Sequence, residues 1–338
     1  MTPQAQNVTF VGIGAIGLPM ALSVAAAGFD VTGVDFSERQ RVAVLEQGLP
    51  AAADAASAAE ADAVIVMVAT PDQLSSAALG QDGLVARMRP GSTLIVMSTV
   101  GPEAVRSLVA PAAERGIGLV DAPVTGGIAR AARGELRMFV SGDPAAIDAG
   151  RAVLDAMGAV VDCGAEPGRG QSFKVVNQLL CAVHIVAGAE ALALAERLGL
   201  DPAEVLDAVA DGAAGSFMLS DRGPRMLEGL DAQVASAIGI FVKDSALVSA
   251  TAAEAGIAVP VLEAAKQKYL DAAEAAWVRD LAEGRGVTED VARGWLLETG
   301  AAIAQFPSIA IDEAAFLLEL LVGIALVGAP SGEAVEQD

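Results

Sequence analysis

The segment NVTFVGIGAIGLPM, residues 7–20, decides how the first half of the chain folds. Its apolar run from Asn7 to Ile13 is typical of a buried strand. The glycines of the segment, Gly12, Gly14 and Gly17, lie where this strand leads into a helix predicted from Ile16 to Ala27. Glycines at this spacing permit a tight turn, close approach of the backbone to a ligand, and close packing of helix on strand. The segment therefore predicts the first strand-turn-helix unit of a parallel α/β sheet.

An acidic residue, Asp35, follows Gly14 by 21 positions, at the end of a second predicted strand from Asp30 to Phe36. The first N–H groups of a helix bind phosphates, and a carboxylate at this distance accepts hydrogen bonds from the ribose hydroxyls of a dinucleotide. The alternative is a glycine-rich turn with an incidental acid. The candidate residues for binding NAD are Gly12, Gly14, Ala15, Ile16, Gly17 and Asp35.

The same carboxylate bears on the choice between NAD and NADP. The charge of Asp35 would repel a 2′-phosphate, so the sequence favours NAD. Arg39 and Arg41 argue against this preference, because either could turn back toward a 2′-phosphate. On a helix, however, such residues more often face solvent.

Strand and helix patterns alternate up to about residue 165, as in a parallel sheet covered by helices on both faces. The fold class is therefore α/β, an N-terminal Rossmann doubly wound parallel sheet. Further strands are predicted at 63–68, 92–97 and 118–121, edge strands at 136–140 and 160–162, and helices at 37–47, 102–115 and 144–157.

Strand patterns stop beyond Gly170, so we expect an all-α second domain. Its helices are predicted at 173–198, 202–211, 232–255, 261–276, 289–304 and 312–327. The domains are expected at 1–166 for nucleotide binding and 167–330 for the helical part, with a long interdomain helix from about Phe173 and an acidic tail at 331–338. The apolar 312–327 helix is expected to pack in the helical core or on a partner subunit.

Charge and composition exclude several functions. With 43 acidic and 21 basic residues in 338, the net charge of −22 repels nucleic acids and anionic membranes, so neither is an expected partner. One histidine and two cysteines exclude a four-ligand zinc site or a disulfide framework, so no metal is expected. The compartment is expected to be reducing, hence cytoplasmic.

Two further motifs carry chemistry. The stretch from Asp121 to Gly127 follows a predicted strand, where its Thr-Gly-Gly turn would expose a hydroxyl and N–H groups to a carboxylate, or would be only a turn. In the stretch from Gly168 to Gln178, Lys174 and Asn177 share a helix face. A partly desolvated lysine, unlike arginine, can exchange a proton near neutral pH, which favours a catalytic role for Lys174. The alternative is that Lys174 is an ordinary surface lysine.

Together with Lys243-Asp244, these motifs resemble the β-hydroxyacid dehydrogenase family, over roughly residues 7–275. The resemblance implies that Lys174 is the general acid/base and that Asn177 holds the reacting hydroxyl. It implies that Thr125, Gly126 and Gly127 bind the substrate carboxylate. The remaining cofactor contacts that it implies are Val68, Ala69, Thr99 and Lys243.

The expected function is therefore NAD-dependent interconversion of a small anionic hydroxy acid and its oxo form. The acid would resemble 3-hydroxyisobutyrate, glycerate or threonate. The residues around Val68, Arg130 and His184 look more like the threonate dehydrogenase branch. An imine reductase of the same fold and a non-catalytic NAD-binding protein are the rivals. The resemblance also implies a homodimer or homotetramer formed through the helical domain.

Overall fold

In the described part of the chain, nine strands form a sheet that organises residues 7–162. The computed structural model describes residues 6–228 and 237–285. The strands are β1 (Asn7–Val11), β2 (Asp30–Val34), β3 (Ala51–Ala52), β4 (Ala63–Val66), β5 (Thr93–Val96), β6 (Gly118–Asp121), β7 (Val124–Thr125), β8 (Leu136–Gly142) and β9 (Gly158–Asp162).

The strand order is that of a doubly wound sheet. It runs β3-β2-β1-β4-β5-β6-β8-β7, and every pair from β3 to β6 is parallel. The order reverses beside β1, which places the ends of β1 and β4 at the switch point where ligands of such sheets bind. The predicted α/β fold class is confirmed.

The sheet buries a separate apolar layer on each face. Phe10, Ile65 and Ile95 point to one face, where they pack with Met20 of helix α1 (Gly17–Ala26). Val64, Leu94 and Val96 point to the other face with Leu74 and Leu108. Because strands buried on both faces need apolar residues at every position, the runs in β4 and β5 contain no polar alternation.

The strand at 136–142 is not an edge strand, contrary to the sequence prediction. β8 pairs antiparallel with β6 and β7 on one side and parallel with β9 on the other. The prediction missed β7, a two-residue strand that continues the line of β6 after Pro123. β8 thereby links the 124–127 turn to the rest of the sheet.

The helices over the sheet follow α1 in chain order. They are α2 (Glu38–Glu46), a 3-10 helix (Ala56–Ala59), α3 (Pro71–Ala78), α4 (Leu84–Arg87), α5 (Pro102–Arg106), α6 (Val109–Glu114), α7 (Gly127–Ala131) and α8 (Pro144–Asp155). The single helix predicted at 102–115 is two helices, because Pro111 has no N–H to donate to the Ser107 carbonyl. The unpredicted α3 begins with a capping box in which Thr70 and Gln73 exchange hydrogen bonds.

Between residues 169 and 285, the part after the sheet that the structure describes apart from 229–236, there are five further helices. They are α9 (Arg169–Arg197), α10 (Pro202–Ala210), α11 (Phe217–Glu228), α12 (Ile238–Glu254) and α13 (Pro260–Arg285). α9 begins four residues before the predicted Phe173, after a left-handed Gly168. The sequence prediction missed α11, since Pro224 lies inside it. The helices predicted at 289–304 and 312–327 and the tail at 331–338 lie outside the described residues.

The chain divides into two units after Lys266. The sheet, α1 to α12 and the first turns of α13 belong to the first unit, so the expected boundary near 166/167 falls within it and stays a prediction. Among the described helices, α9 is long and apolar enough to cross a bilayer by length and composition alone. It packs instead on β8, α10, α11 and α12, and it carries buried polar residues, so we interpret it as the central helix of this unit.

Candidate active site

The turn between β1 and α1 has the geometry that its glycines predict. Gly12 has a φ of +88°, and a Cβ there would lie 2.4 Å from the Met67 carbonyl oxygen. A Cβ on Gly17 would lie 2.0 Å from the Gly12 carbonyl oxygen. These two glycines are therefore required by the protein's own packing. Ala15 and Ile16 complete the turn, and Ile16, the N-cap residue, has no side-chain cap that would occupy the first N–H groups of α1.

Gly14 is different, because a Cβ there would meet no atom of the described residues within 4 Å. Its backbone faces open space beside the start of α1, where a pyrophosphate can approach closely. Asp35 lies beside this turn, directly after β2, and its Oδ2 accepts a hydrogen bond from Ile13 N at 3.1 Å. The turn, the helix start and the carboxylate thus fit a dinucleotide.

Arg41 turns back toward the end of β2, which is one of the two orientations that the sequence allows. Its Nη1 donates to the carbonyl oxygens of Asp35 and Phe36 at 2.8 and 2.7 Å. The guanidinium is thereby bound to the backbone beside Asp35. Because Asp35 remains beside it, a 2′-phosphate would still meet a carboxylate at this position.

The other predicted cofactor residues lie on the loops after β4 and β5 and on α12. Val68 N donates to Ser98 Oγ at 2.8 Å, and Ala69 N donates to Gln73 Oε1 at 2.8 Å. Lys243 Nζ donates to the Thr99 carbonyl oxygen at 2.9 Å. The structure therefore brings Thr99 and Lys243 together across 144 residues of sequence.

The Thr-Gly-Gly turn leads from β7 into α7. Thr125 pairs with Arg137 of β8, Gly126 has a φ of +133°, and Gly127 begins the helix. A Cβ on Gly126 would lie 2.9 Å from Arg130 Cδ, so the Arg130 side chain folds over the turn. The Arg130 guanidinium lies 5.1 Å from the ring centre of Phe217 on α11.

Lys174 is the centre of a buried polar network on α9 and α12. Its Nζ donates to Gln178 Oε1 at 2.8 Å, and Asn177 Nδ2 donates to the same oxygen at 2.8 Å and to Cys181 Sγ at 3.4 Å. Gln178 Nε2 donates to Asp244 Oδ2 at 2.5 Å. Lys243 Nζ lies 2.8 Å from Asp244 Oδ1. Lys174 and Lys243 are thus joined through Gln178 and Asp244.

Burial lowers the pKa of the Lys174 ammonium to about 8. The negative charge of Asp244 opposes this effect, and the positive charge of Lys243 adds to it. Lys174 is only 6% exposed, so desolvation of the charged form dominates. A lysine with this pKa can exchange a proton near neutral pH.

The N-terminus of α9 is fixed to the sheet by Asp121 and Gln171. Asp121 Oδ2 accepts hydrogen bonds from Gly168 N, Gln171 N and Ser141 Oγ. Gln171 Oε1 accepts from Val100 N and Gly101 N, and its Nε2 donates to Asp121 Oδ1 and the Ser98 carbonyl oxygen. The buried pair therefore fixes both the Thr99 loop and the first turn of the helix that bears Lys174.

The sequence motifs contain Gln178, Asp244, Gln171 and Asp121 but predict no function for them. The available signal was spacing, since Gln178 follows Lys174 by one helical turn. The pairing of Gln178 with Asp244 joins residues 66 apart in sequence, so no local pattern predicts it.

Two family models match the chain consecutively. Residues 7–165 match the NAD binding domain of 6-phosphogluconate dehydrogenase. Residues 168–283 match a model described as NAD-binding of NADP-dependent 3-hydroxyisobutyrate dehydrogenase. The chain therefore carries NAD-binding domains.

The matches to named relatives cover nearly the whole length of each relative. The L-threonate dehydrogenase of Cupriavidus necator is 38% identical over 277 residues, covering 80% of this chain and 92% of that protein. The crystal structure of 3-hydroxyisobutyrate dehydrogenase from Salmonella typhimurium is 34% identical with a TM-score of 0.73, covering 80% and 95%. The Mycobacterium tuberculosis 3-hydroxyisobutyrate dehydrogenase, solved with L-serine, is 29% identical with a TM-score of 0.71, covering 80% and 94%.

Proposed function

The chain belongs to the β-hydroxyacid dehydrogenase family, and from that premise we propose that Lys174 is the general acid/base of an NAD-dependent hydroxy acid dehydrogenase. The chain is an oxidoreductase that acts on the CH–OH group of its donor. The observation that carries the proposal is a buried lysine with a pKa of about 8, hydrogen-bonded to Gln178 beside Asn177.

Lys174 would take the hydroxyl proton of the substrate during oxidation. Its neutral amine donates one hydrogen bond to Gln178, which fixes Nζ and leaves the nitrogen lone pair for the hydroxyl. Bound NAD supplies the hydride acceptor. In the reverse reaction, the Lys174 ammonium returns the proton to the carbonyl oxygen as that oxygen gains negative charge.

Asn177 would hold the reacting oxygen. Its Nδ2 now donates to Gln178 Oε1 and, over the longer distance of 3.4 Å, to Cys181 Sγ. A sulfur acceptor is weak, so substrate oxygen would replace Cys181 as the second acceptor at little cost. Lys174 and Asn177 would then contact the same hydroxyl oxygen from one helix face.

The carboxylate of the substrate would bind at Thr125, Gly126 and Gly127. Backbone N–H groups in a turn with positive φ form a concave site for anions, and the Thr125 hydroxyl adds a donor. Such a local site is needed because the chain as a whole carries a net charge of −22. The substrate class that the relatives favour is a small hydroxy acid such as L-threonate or 3-hydroxyisobutyrate.

We place the cofactor over the β1–α1 turn, with Asp35 accepting from the adenosine ribose. Val68, Ala69, Thr99 and Lys243 would line the nicotinamide half. We further propose that the protein works in the cytoplasm, with both described cysteines as free thiols. A second copy would cover the exposed apolar face of α9 to form a homodimer, or a homotetramer built from two such dimers.

A substrate screen tests the proposal. Purified enzyme is incubated with NAD and each of a set of three- to six-carbon 2- and 3-hydroxy acids, including L-threonate, glycerate and 3-hydroxyisobutyrate, while NADH formation is measured. We expect turnover of at least one acid with NAD. Tight NAD binding without turnover of any acid would favour the non-catalytic alternative, and reduction of cyclic imines alone would favour the imine reductase.

A further inference from the structure

Arg222, on α11, has a buried donor without an acceptor among the described residues. Its side chain is 19% exposed, and within residues 6–228 and 237–285 its Nε has no hydrogen-bond partner, although the Asp221 carboxylate lies 3.4 Å away. Burial lowers the pKa of the Arg222 guanidinium. Leaving a charged buried donor unpaired costs free energy, so such a group is suited to bind an acceptor from a ligand.

The side of α11 that carries Arg222 faces α9. Leu219 Cδ1 lies 3.0 Å from the position of a Cβ on Gly188 of α9, so this side rests against that helix. Arg222 follows Leu219 by one turn of α11, and Cys181 precedes Gly188 by two turns of α9. The face of α9 that contains Cys181 also contains Lys174 and Asn177.

The Cys181 thiol lies within electrostatic reach of both groups. Burial raises the pKa of Cys181, the positive charges of Lys174 and Arg222 oppose that rise, and the negative charge of Asp244 adds to it. The charges of Arg222 and Lys174 therefore act on the same thiol. From Asn177 to Cys181 the helix advances about 6 Å, which suits a substrate with two carbons beyond the oxidised one.

The other end of α11 lies beside the carboxylate turn. Phe217, its first residue, supports the Arg130 guanidinium, and Arg130 folds over Gly126. α11 thus runs from the proposed carboxylate site toward the Lys174 face of α9. A hydroxy acid bound at both places would extend its remaining carbons along α11.

We propose that Arg222 is a specificity-determining residue that donates hydrogen bonds to the hydroxyl oxygens of a four-carbon polyhydroxy acid, beyond the carbon that is oxidised. This inference rests on the proposed function and names the substrate class of the same site. Neutral hydroxyls fit better than a second carboxylate, because Asp221 already lies beside the guanidinium and offsets its charge.

Two variants of Arg222 and a matched control test the proposal. Arg222→Met keeps an apolar chain as far as the position of Nε and removes every donor, and Arg222→Gln keeps a donor without the charge. Arg225→Met removes the neighbouring arginine of α11, whose Nη1 lies 3.9 Å from the same Asp221 carboxylate. For each protein, kcat/KM is measured with L-threonate, L-malate and 3-hydroxyisobutyrate.

We expect Arg222→Met to lower kcat/KM for L-threonate by about 10- to 100-fold, the equivalent of a lost hydrogen bond to a charged group. The value for 3-hydroxyisobutyrate, which has a methyl branch and no further hydroxyl, should change less than about threefold, a margin set well below that loss. Arg222→Gln should also lower kcat/KM for L-threonate, but by less. Arg225→Met should leave the ratio of kcat/KM for L-threonate to kcat/KM for 3-hydroxyisobutyrate unchanged. This ratio does not depend on the concentration of folded enzyme, so partial unfolding cannot imitate the effect.

Several results would overturn the inference. Equal losses for L-threonate and 3-hydroxyisobutyrate would mean that Arg222 binds the shared carboxylate or only supports the fold. A wild-type preference for L-malate that disappears in Arg222→Met would assign the residue to a second carboxylate. If the wild type oxidises 3-hydroxyisobutyrate and Arg222→Met leaves all ratios unchanged, the inference alone fails. If the wild type oxidises no hydroxy acid, the proposed function fails with it.

Discussion

At the scale of single residues, the pKa of Lys174 makes the pH dependence of oxidation predictable. Oxidation requires the neutral amine, so kcat/KM in that direction should rise with pH and reach half its maximum at about pH 8. Reduction requires the ammonium, so its rate should fall over the same range. Initial rates across pH 6 to 10, a range that brackets this pKa, check both directions.

Substitution of Asp244 tests the cause of that pKa. The Asp244 charge raises the pKa of Lys174, so Asp244→Asn should lower it and shift the rise in oxidation rate to lower pH. The amide oxygen can still accept from Gln178, which limits the structural change. Lys243→Gln should shift the profile in the opposite direction, because the Lys243 charge lowers the pKa of Lys174. A profile that stays in place in both variants would mean that another group controls the rate.

Asp35 makes cofactor preference a second prediction at this scale. Asp35→Ser should reduce the ratio of kcat/KM for NAD over NADP by about tenfold or more, since it removes a charged acceptor and the repulsion of a 2′-phosphate. Glu38→Ser, a change at the exposed first residue of α2, is the control and should leave the ratio unchanged. If the wild type already prefers NADP, Arg41 binds the phosphate and the assignment of Asp35 is wrong.

Some of these residues could be identified from sequence and others could not. The β1–α1 glycines and Asp35 form a local pattern whose geometry follows from backbone sterics, so the sequence predicts their arrangement. Gln178, Asp244 and Arg222 matter through contacts between α9, α11 and α12. Such contacts depend on how helices pack, and one sequence alone contains no signal for that packing.

At the scale of elements, Asp121 couples the end of β6 to the start of α9. Its Oδ2 accepts three hydrogen bonds, and in Asp121→Asn the new Nδ2 would face N–H donors or leave Gln171 without an acceptor. We expect a loss of about 1–3 kcal/mol in the free energy of unfolding, measured by urea denaturation. kcat should also fall, because Lys174 lies within the first two turns of the same helix.

Ser172→Ala provides the control for Asp121. Among the described residues, Ser172 Oγ donates to the Gly168 carbonyl oxygen in the same turn and makes no bond to the sheet, so its removal should cost less than the Asp121 substitution. If the two variants are equally stable, the Asp121 contacts contribute no more than an ordinary hydrogen bond within a helix.

Local sequence predicts some helices and strands, whereas others form because of contacts that are distant in sequence. β6 is predicted at its observed residues, since a short apolar run bounded by Gly118 and Asp121 leaves little freedom. α11 is missed because Pro224 and Gly223 oppose a helix locally, whereas packing of Gly223 against Leu206 stabilises one. A Cβ at Gly223 would lie 2.6 Å from Leu206, so glycine is there for close approach of α10 and α11.

At the scale of the whole molecule, the exposed apolar residues of α9 predict self-association. Phe173, Val176 and Leu180 share one helix face and are 44%, 62% and 48% exposed. Burial of this face against a second copy would remove large apolar side chains from water. Light scattering at micromolar concentration should therefore show a dimer or a larger species.

A double substitution on this face checks the prediction. Val176→Glu with Leu180→Glu should shift the protein toward monomer. The control is Leu45→Glu on α2, which changes another exposed apolar side chain and should leave the assembly unchanged. A wild-type monomer would contradict the prediction.

The most direct test of the central claim is the effect of Lys174→Ala on turnover. The account predicts that the variant folds, binds NAD with unchanged affinity in a fluorescence titration, and loses at least about 10²- to 10⁴-fold in kcat with the best hydroxy acid found in the screen. Its remaining activity should also lack the rise near pH 8 that the wild type shows. A variant that keeps kcat within about threefold of the wild type, far less than the loss of a general acid/base causes, would show that another group transfers the proton.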